Sequence, residues 1–128
     1  MIILNYEGEE MNINVTTILD VASLGPNEET ALSGPVNLKD AVKCTVTSEC
    51  SFRNASDNAR VQLFSSYNNA SYDTEPIAQW DIPVNKSQTV RTTVALLPDF
   101  YYVKAKFQNL DANETLDNCK VIVVYAEP

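Results

Sequence analysis

The stretch YDTEPIAQWDIPVNKSQTVRTTVALL, residues Tyr72–Leu97, decides the fold. Apolar side chains occupy every second position of Ala78–Val84 and most of the alternate positions of Val90–Leu96. This alternation buries one face of a strand and leaves the other in solvent. Trp80 shares the apolar phase, so we expect it in the core. The polar run Asn85–Gln88 between the two strands predicts a hairpin turn.

Similar alternation recurs along the chain and predicts about eight strands. Met11–Ser23 alternates until the Ile18-Leu19 pair disturbs the phase, which predicts a strand with a bulge. Cys119–Ala126 is apolar on both faces, as expected of a central or covered strand. No segment shows convincing helical periodicity. The other predicted strands are Ala41–Phe52, Ala59–Ser65 and Phe100–Gln108.

The expected fold class is therefore all-β. Strands joined by short, turn-rich loops favour an antiparallel β-sandwich, either jelly-roll or immunoglobulin-like. A length of 128 residues fits a single domain spanning 1–128, and no linker or repeat divides it. Within residues 1–10, the apolar segment Ile2–Tyr6 is either an edge strand or an N-terminal arm that pairs with a neighbouring subunit.

The charge balance narrows the class of partner. Nine basic and seventeen acidic residues give a net charge of -8. Nucleic acid and anionic membranes attract basic surfaces, so we expect neither as a partner. No run reaches the ~20 apolar residues of a membrane span. The opening MIILNYEGEE lacks the basic region of a signal peptide, so we expect synthesis in the cytoplasm of the host cell.

The residue inventory argues against catalysis. The chain has no histidine, which excludes histidine-dependent triads, and its three glycines include no phosphate-binding loop. Cys44, Cys50 and Cys119 are an odd number, and we interpret them as buried thiols rather than a disulfide or metal site. We therefore expect no enzyme activity, no cofactor and no metal.

One loop is a candidate calcium site. Oxygen-bearing side chains alternate along Asp111–Asp117. However, Leu116 stands where an EF-hand loop requires glycine, and the downstream glutamate is missing. An Asx-rich turn is the preferred interpretation.

Three tyrosines and the N-terminal segment are the only features of the sequence that indicate contact with another molecule. Tyr67 and Tyr72 fall in the loop Tyr67–Glu75, and Tyr102 falls on the polar phase of its strand. Tyrosine is favoured at protein interfaces and at sugar-stacking surfaces. Scattered surface tyrosines without a role, and an ordinary edge strand, are the competing interpretations. The candidate interface comprises Ile2, Ile3, Leu4, Tyr6, Tyr67, Tyr72 and Tyr102.

Three longer stretches carry a resemblance to a protein class. They are LGPNEETALSGPVNLKDAVKCTVTSE, ARVQLFSSYNNASYDTEPIAQWDIPV and FYYVKAKFQNLDANETLDNCKVIVVYA. Their GPVNL, YDTEP and NLD segments resemble small β-sandwich virion proteins of tailed phages and prophages, of the capsid-decoration or head/tail-accessory type. The resemblance covers most of Leu24–Ala126.

The resemblance implies a non-enzymatic virion structural protein that folds alone and then adheres to a capsid or tail surface. The leading hypothesis is a capsid decoration protein that binds the outer surface of the major capsid protein and stabilises the shell. The expected partners are the major capsid protein, other virion proteins and further copies of the chain, as in a trimer. The alternatives are a tail or baseplate accessory subunit and a carbohydrate-binding module that stacks sugars on Tyr67, Tyr72 and Tyr102.

Overall fold

The computed structural model describes residues 2–4, 10–54, 57–83 and 87–128. Within these residues the chain forms nine strands and no helix, which confirms the predicted all-β class. The strands are β1 (Ile2–Leu4), β2 (Glu10–Leu24), β3 (Val36–Asn37), β4 (Lys43–Phe52), β5 (Ala59–Ser66), β6 (Ala78–Ile82), β7 (Thr89–Ala95), β8 (Tyr102–Asn109) and β9 (Leu116–Glu127).

The strands form two antiparallel sheets that pack as a sandwich. The five-stranded sheet has the order β1-β2-β9-β4-β7, and the four-stranded sheet has the order β3-β8-β5-β6. Strands distant in the chain pair in a nested way: β2 with β9, β3 with β8, β4 with β7 and β5 with β6. This nesting is the jelly-roll arrangement, with two Greek keys wound together. Of the two expected topologies, the jelly roll is the one observed.

The predicted hairpin between β6 and β7 is wrong. β6 pairs with β5 in one sheet, and β7 pairs with β4 in the other. The chain therefore crosses from sheet to sheet after Ile82. Pro83 follows β6 directly and has no N–H to extend the ladder. Val84, Asn85 and Lys86 of the predicted hairpin lie outside the described residues.

β9 lies at the centre of the five-stranded sheet, as its two apolar faces predict. Its inward side chains Val121 and Val123 are fully buried in the core cluster, which also contains residues of β5 and β8. The predicted bulge in β2 is confirmed, because the register with β9 shifts between Thr17 and Leu19. The core includes the fully buried Val46, Val61, Leu63, Ile82, Phe107 and Leu116.

The alternation within Ala41–Phe52 and Phe100–Gln108 also predicts that Val42 and Tyr101 point into the core, but both side chains are exposed. Val42 and Tyr101 continue the inward phase of their strands in sequence, but they precede β4 and β8 by one residue. Their side chains therefore leave the sandwich at its end. The prediction that Trp80 points toward the core is confirmed, because its half-buried ring packs against the core.

The direction of the strands brings three connections together at one end of the sandwich. The Leu38 N–H donates to the Tyr101 carbonyl at 2.8 Å, which ties the first connection to the third. The Val42 N–H donates to the Ala126 carbonyl at 2.8 Å, which ties the first connection to the end of β9. β1 lies at the same end, because it pairs with the first residues of β2. We call this the aromatic end; it comprises residues 38–42, 67–77, 96–101 and 126–128.

The opposite end is polar and rich in carboxylates. There the Asn27 N–H donates to the Asp111 carbonyl at 2.8 Å, and the Leu110 N–H donates to the Asn58 carbonyl at 3.2 Å. We call this the acidic end; it comprises residues 25–28, 53–54, 57–58 and 110–115, with the carboxylates of Glu28, Asp57, Asp111 and Glu114. The sandwich is thus chemically different at its two ends.

Candidate functional site

Exposed apolar side chains concentrate at the aromatic end. Tyr67 is 76% exposed, Leu97 72%, Tyr101 52% and Val42 48%. All four lie in or beside connections between strands. Clusters of exposed apolar surface on a folded protein mark sites of contact with another molecule. This end is therefore the best candidate for a docking surface.

A cavity of about 280 Å³ opens at the same end. It lies where β5 leaves the sheet and where the connection before β8 folds back beside it. The volume suits one inserted side chain or one small ring, near the lower limit for ligand sites. Its walls are Ser65, Ser66, Tyr67, Asp99, Phe100 and Tyr101.

A second surface continues from the aromatic end, which contributes Lys39 and Tyr72, over the outer side of the four-stranded sheet. Three lysine ammonium groups stand over three aromatic rings there, in the geometry of cation–π pairs. The distances from Nζ to ring centroid are 4.5 Å for Lys104 over Tyr72, 5.4 Å for Lys39 over Tyr102 and 5.9 Å for Lys106 over Phe64. We call these six residues the lysine–aromatic face.

The backbone register explains why Tyr72 and Tyr102 share this face. Ser66, the last residue of β5, pairs with Tyr102 on β8 and also forms an isolated bridge with Tyr72. The two tyrosines therefore flank the same residue from opposite sides. On β8 the outward phase continues through Lys104 and Lys106, which are both half-buried.

Hydrogen bonds fix the loop that carries Tyr72. The side-chain oxygen of Asn68 accepts the N–H groups of Ala70 and Ser71, each at 2.9 Å. Asn69 has a φ of 62°, a left-handed conformation that asparagine tolerates. The Tyr72 hydroxyl donates to Asn69 Oδ1 at 2.6 Å. The ring is thus held in place before any partner binds.

The lysine–aromatic face is positively charged within an acidic protein. Lys106 forms an ion pair with Glu29 at 3.3 Å, whereas Lys39 and Lys104 form none with any described carboxylate. A hydrogen bond and charge interaction with Tyr102 raise the pKa of the Lys39 ammonium. Burial raises the pKa of the Tyr72 hydroxyl. Lys39 therefore carries its charge, and the Tyr72 hydroxyl stays neutral, at neutral pH.

At the acidic end, Asp111 acts as a structural acceptor. Its carboxylate accepts the N–H groups of Asp57, Asn113 and Glu114, each at 2.7 Å. These bonds hold the pKa of the Asp111 carboxyl below its ordinary value. The expected Asx turn is confirmed, because both Asp111 oxygens accept backbone donors. Across the described ranges, no group of three His, Cys, Asp or Glu side chains is placed to hold a metal ion.

The three cysteines are buried and free, as predicted. Burial raises the pKa of the Cys44 thiol to about 11 and that of Cys50 to about 12. Burial likewise raises the pKa of Cys119. These thiols are protonated at neutral pH and serve as small core side chains.

The candidate interface residues divide among three places. Ile2–Leu4 form β1 and pair with Glu10, Met11 and Asn12, while Tyr6 lies outside the described residues. Tyr67 lines the cavity, whereas Tyr72 and Tyr102 belong to the lysine–aromatic face. The three tyrosines therefore do not form one platform, and their role in binding stays a prediction.

The sequence patterns did not identify Leu97, Lys39 or Lys104 as members of these surfaces. Leu97 precedes Pro98 in a turn, and an apolar residue in a turn was the available signal for its exposure. The positions of Lys39 and Lys104 over rings depend on contacts between distant parts of the chain. No local pattern reports such contacts.

Comparison with known proteins finds similar folds but no similar sequence. No protein-family profile matches the chain, and no curated protein matches it in sequence. The VP2 subviral particle of infectious bursal disease virus matches with a TM-score of 0.56 at 6% identity, over 90% of this chain and 32% of that chain. Pili of Bacillus endospore appendages match with a TM-score of 0.49 at 7% identity, over 92% and 89%. The SPBc2 prophage-derived protein YomS matches with 0.46 at 10% identity, over 91% and 95%.

The likeness to VP2 is a likeness of fold. The chain spans about a third of the length of that viral chain. The matched third of that viral chain has a β-sandwich fold similar to that of this chain. In the part of the chain that the structure describes, no helix is long and apolar enough to cross a membrane.

Proposed function

We propose that the protein is a non-enzymatic virion structural protein, a decoration protein that binds the outer surface of a major capsid protein and stabilises the shell. The observation that carries this proposal is the concentration of exposed apolar side chains at the aromatic end. The jelly-roll fold, shared with the viral VP2 particle, supports it. The phage-like sequence segments support it further.

Docking through the aromatic end follows from its chemistry. Burying an exposed apolar side chain at an interface stabilises a complex by about 1.5–3 kcal/mol when packing is good. Tyr67, Leu97 and Tyr101 are exposed enough to contribute in this way. The two-sheet core behind them is continuous, so the sandwich docks as a rigid body. A decoration protein that bridges adjacent capsid subunits in this way opposes their separation.

The direct test is co-sedimentation of the purified protein with undecorated capsids of the virus that encodes it. We expect the protein to pellet with the capsids and to raise their temperature of disassembly. Leu97→Asp, which places a charge on the aromatic end, should abolish the binding. Leu32→Asp is the matched control, because Leu32 is an exposed leucine outside that end. Failure of the folded protein to pellet would refute the proposal.

A carbohydrate-binding module is the second candidate, and the cavity at Tyr67 favours it. Two exposed tyrosines and Asp99 line an opening of suitable size for one sugar ring. A glycan array tests this function directly, with Tyr101→Ala as the variant that should lose binding. Silence across a broad array would exclude it.

A tail or baseplate subunit would use the same docking surface. Mass spectrometry of separated heads and tails from purified virions distinguishes that location from the capsid. We expect the protein in the head fraction.

A further inference from the structure

We propose that the lysine–aromatic face is a recognition surface for an acidic, carboxylate-bearing segment of a partner protein. The identity of the partner protein depends on the proposed docking function, whereas the binding of an acidic segment does not. The contacts that support it are the three cation–π pairs along the outer face of the four-stranded sheet.

The first argument is the charge distribution. The chain has a net charge of -8, yet this face carries Lys39, Lys104 and Lys106, and Arg60 lies beside it on β5. Two of these cations are already paired, Lys106 with Glu29 and Arg60 with Asp81. Asp40 follows Lys39 in the chain, but it forms no ion pair with it within 4.0 Å among the described contacts. Lys39 and Lys104 therefore offer positive charge to a partner.

The second argument is order. A lysine in solution loses rotamer freedom when it binds, and this loss weakens surface ion pairs. Here Lys104 stands 4.5 Å from the centroid of Tyr72, whose hydroxyl is itself held by Asn69. The ring limits the positions of the ammonium group before a partner arrives. Such preorganisation lowers the entropy cost of binding.

The third argument selects the partner. Neutral sugars stack on open ring faces, but lysines already stand over the rings of Tyr72 and Tyr102. The face is a sheet surface spread over β8 and its neighbours, which suits an extended partner. Carboxylates from aspartate and glutamate complement its charge, and complementary charge gives a protein interface its specificity. An acidic protein segment satisfies these requirements together.

Titration of the isotope-labelled protein with a decaglutamate peptide, followed by NMR, tests the proposal. We expect chemical-shift changes confined to the lysine–aromatic face and the β-strands beneath it. The binding should weaken as salt is added, because exposed charges are screened. Lys39→Glu combined with Lys104→Glu should weaken binding by about tenfold or more.

Two variants and one second probe make the test decisive. Lys43→Glu is the matched control, since Lys43 is an exposed lysine on the five-stranded sheet, and it should bind the peptide normally. Lys104→Arg should retain binding, because guanidinium also stands over aromatic rings. Shift changes spread equally over all lysines, or equal loss in Lys43→Glu, would overturn the proposal. Tighter binding of polygalacturonate than of the peptide would also overturn it, because the site would then select acidic sugars.

This experiment needs no capsid. A negative titration with normal capsid binding would refute the acidic-segment site and leave the decoration function standing. A positive titration with no capsid binding would refute the decoration function alone. The two proposals can therefore fail separately.

Discussion

The indole Nε1–H of Trp80 donates a hydrogen bond to the hydroxyl of Ser48 across 2.8 Å. Trp80 belongs to β6 in the four-stranded sheet, and Ser48 belongs to β4 in the five-stranded sheet. Ser48 is fully buried, so the bond joins the two layers inside the sandwich. Tryptophan commonly pairs its N–H when its ring is packed in this way.

Replacing Ser48 with alanine should destabilise the fold by about 1 kcal/mol, because the indole N–H loses its acceptor. Trp80 is the single tryptophan, so its fluorescence reports unfolding in urea without interference. Ser71→Ala, at an exposed loop position, should leave the free energy of unfolding unchanged. Equal stability of the two variants would show that the bond between the sheets contributes nothing.

The same tryptophan shows what the sequence could and could not predict about the fold. Its phase with Ile82 placed it toward the core correctly, because the burial of alternate residues is a local property of a strand. The partner of its strand was predicted wrongly. Strand pairing depends on the whole chain, and β6 pairs with β5 rather than with β7. The nested jelly-roll order has no local signature.

The candidate surfaces also contain some features that the sequence predicts and others that depend on contacts between distant residues. The outward phase of Tyr102 was visible in the alternation of its strand, and the structure places it on the outer face. Lys39 reaches Tyr102 only because β3 lies beside β8 in the sheet. The exposure of Tyr101 likewise follows from where β8 begins, two residues later than the predicted strand Phe100–Gln108.

The contribution of Asp111 to the stability of the fold should depend on pH. Its folded-state pKa is depressed, so its hydrogen bonds add stability above the unfolded-state pKa of about 3.9, and this stability is lost as pH falls through the folded-state pKa. Asp111→Asn should therefore have a lower Tm than the wild type at pH 7. The difference should shrink as the pH falls below about 4.

Thermal unfolding followed by circular dichroism from pH 7 to pH 2 measures this difference. Asp20→Asn, at an exposed position on β2, is the control and should follow the wild-type curve. A Tm difference for Asp111→Asn that stays constant with pH would contradict a charge-dependent role for the carboxylate.

The buried thiols should be unreactive in the folded protein. Burial raises the pKa of Cys50 to about 12, and the thiolate is the reactive form. At pH 8 we expect no reaction of a thiol reagent such as DTNB with the native protein, and reaction of three thiols in denaturant. Rapid labelling of even one cysteine in the native state would show that the sandwich opens locally around it.

Removal of residues 1–9 separates the two interpretations of the N-terminal segment. β1 pairs with only Glu10, Met11 and Asn12 of β2, whereas β2 stays paired with β9 as far as Leu24. We expect the truncated protein to fold and its Tm to fall by no more than about 5 °C. If Ile2–Leu4 form a docking arm, the truncation should abolish capsid co-sedimentation and reduce the oligomer to monomer in light scattering. Unchanged capsid binding and oligomeric state would show that β1 is an ordinary edge strand and that docking depends on the aromatic end alone.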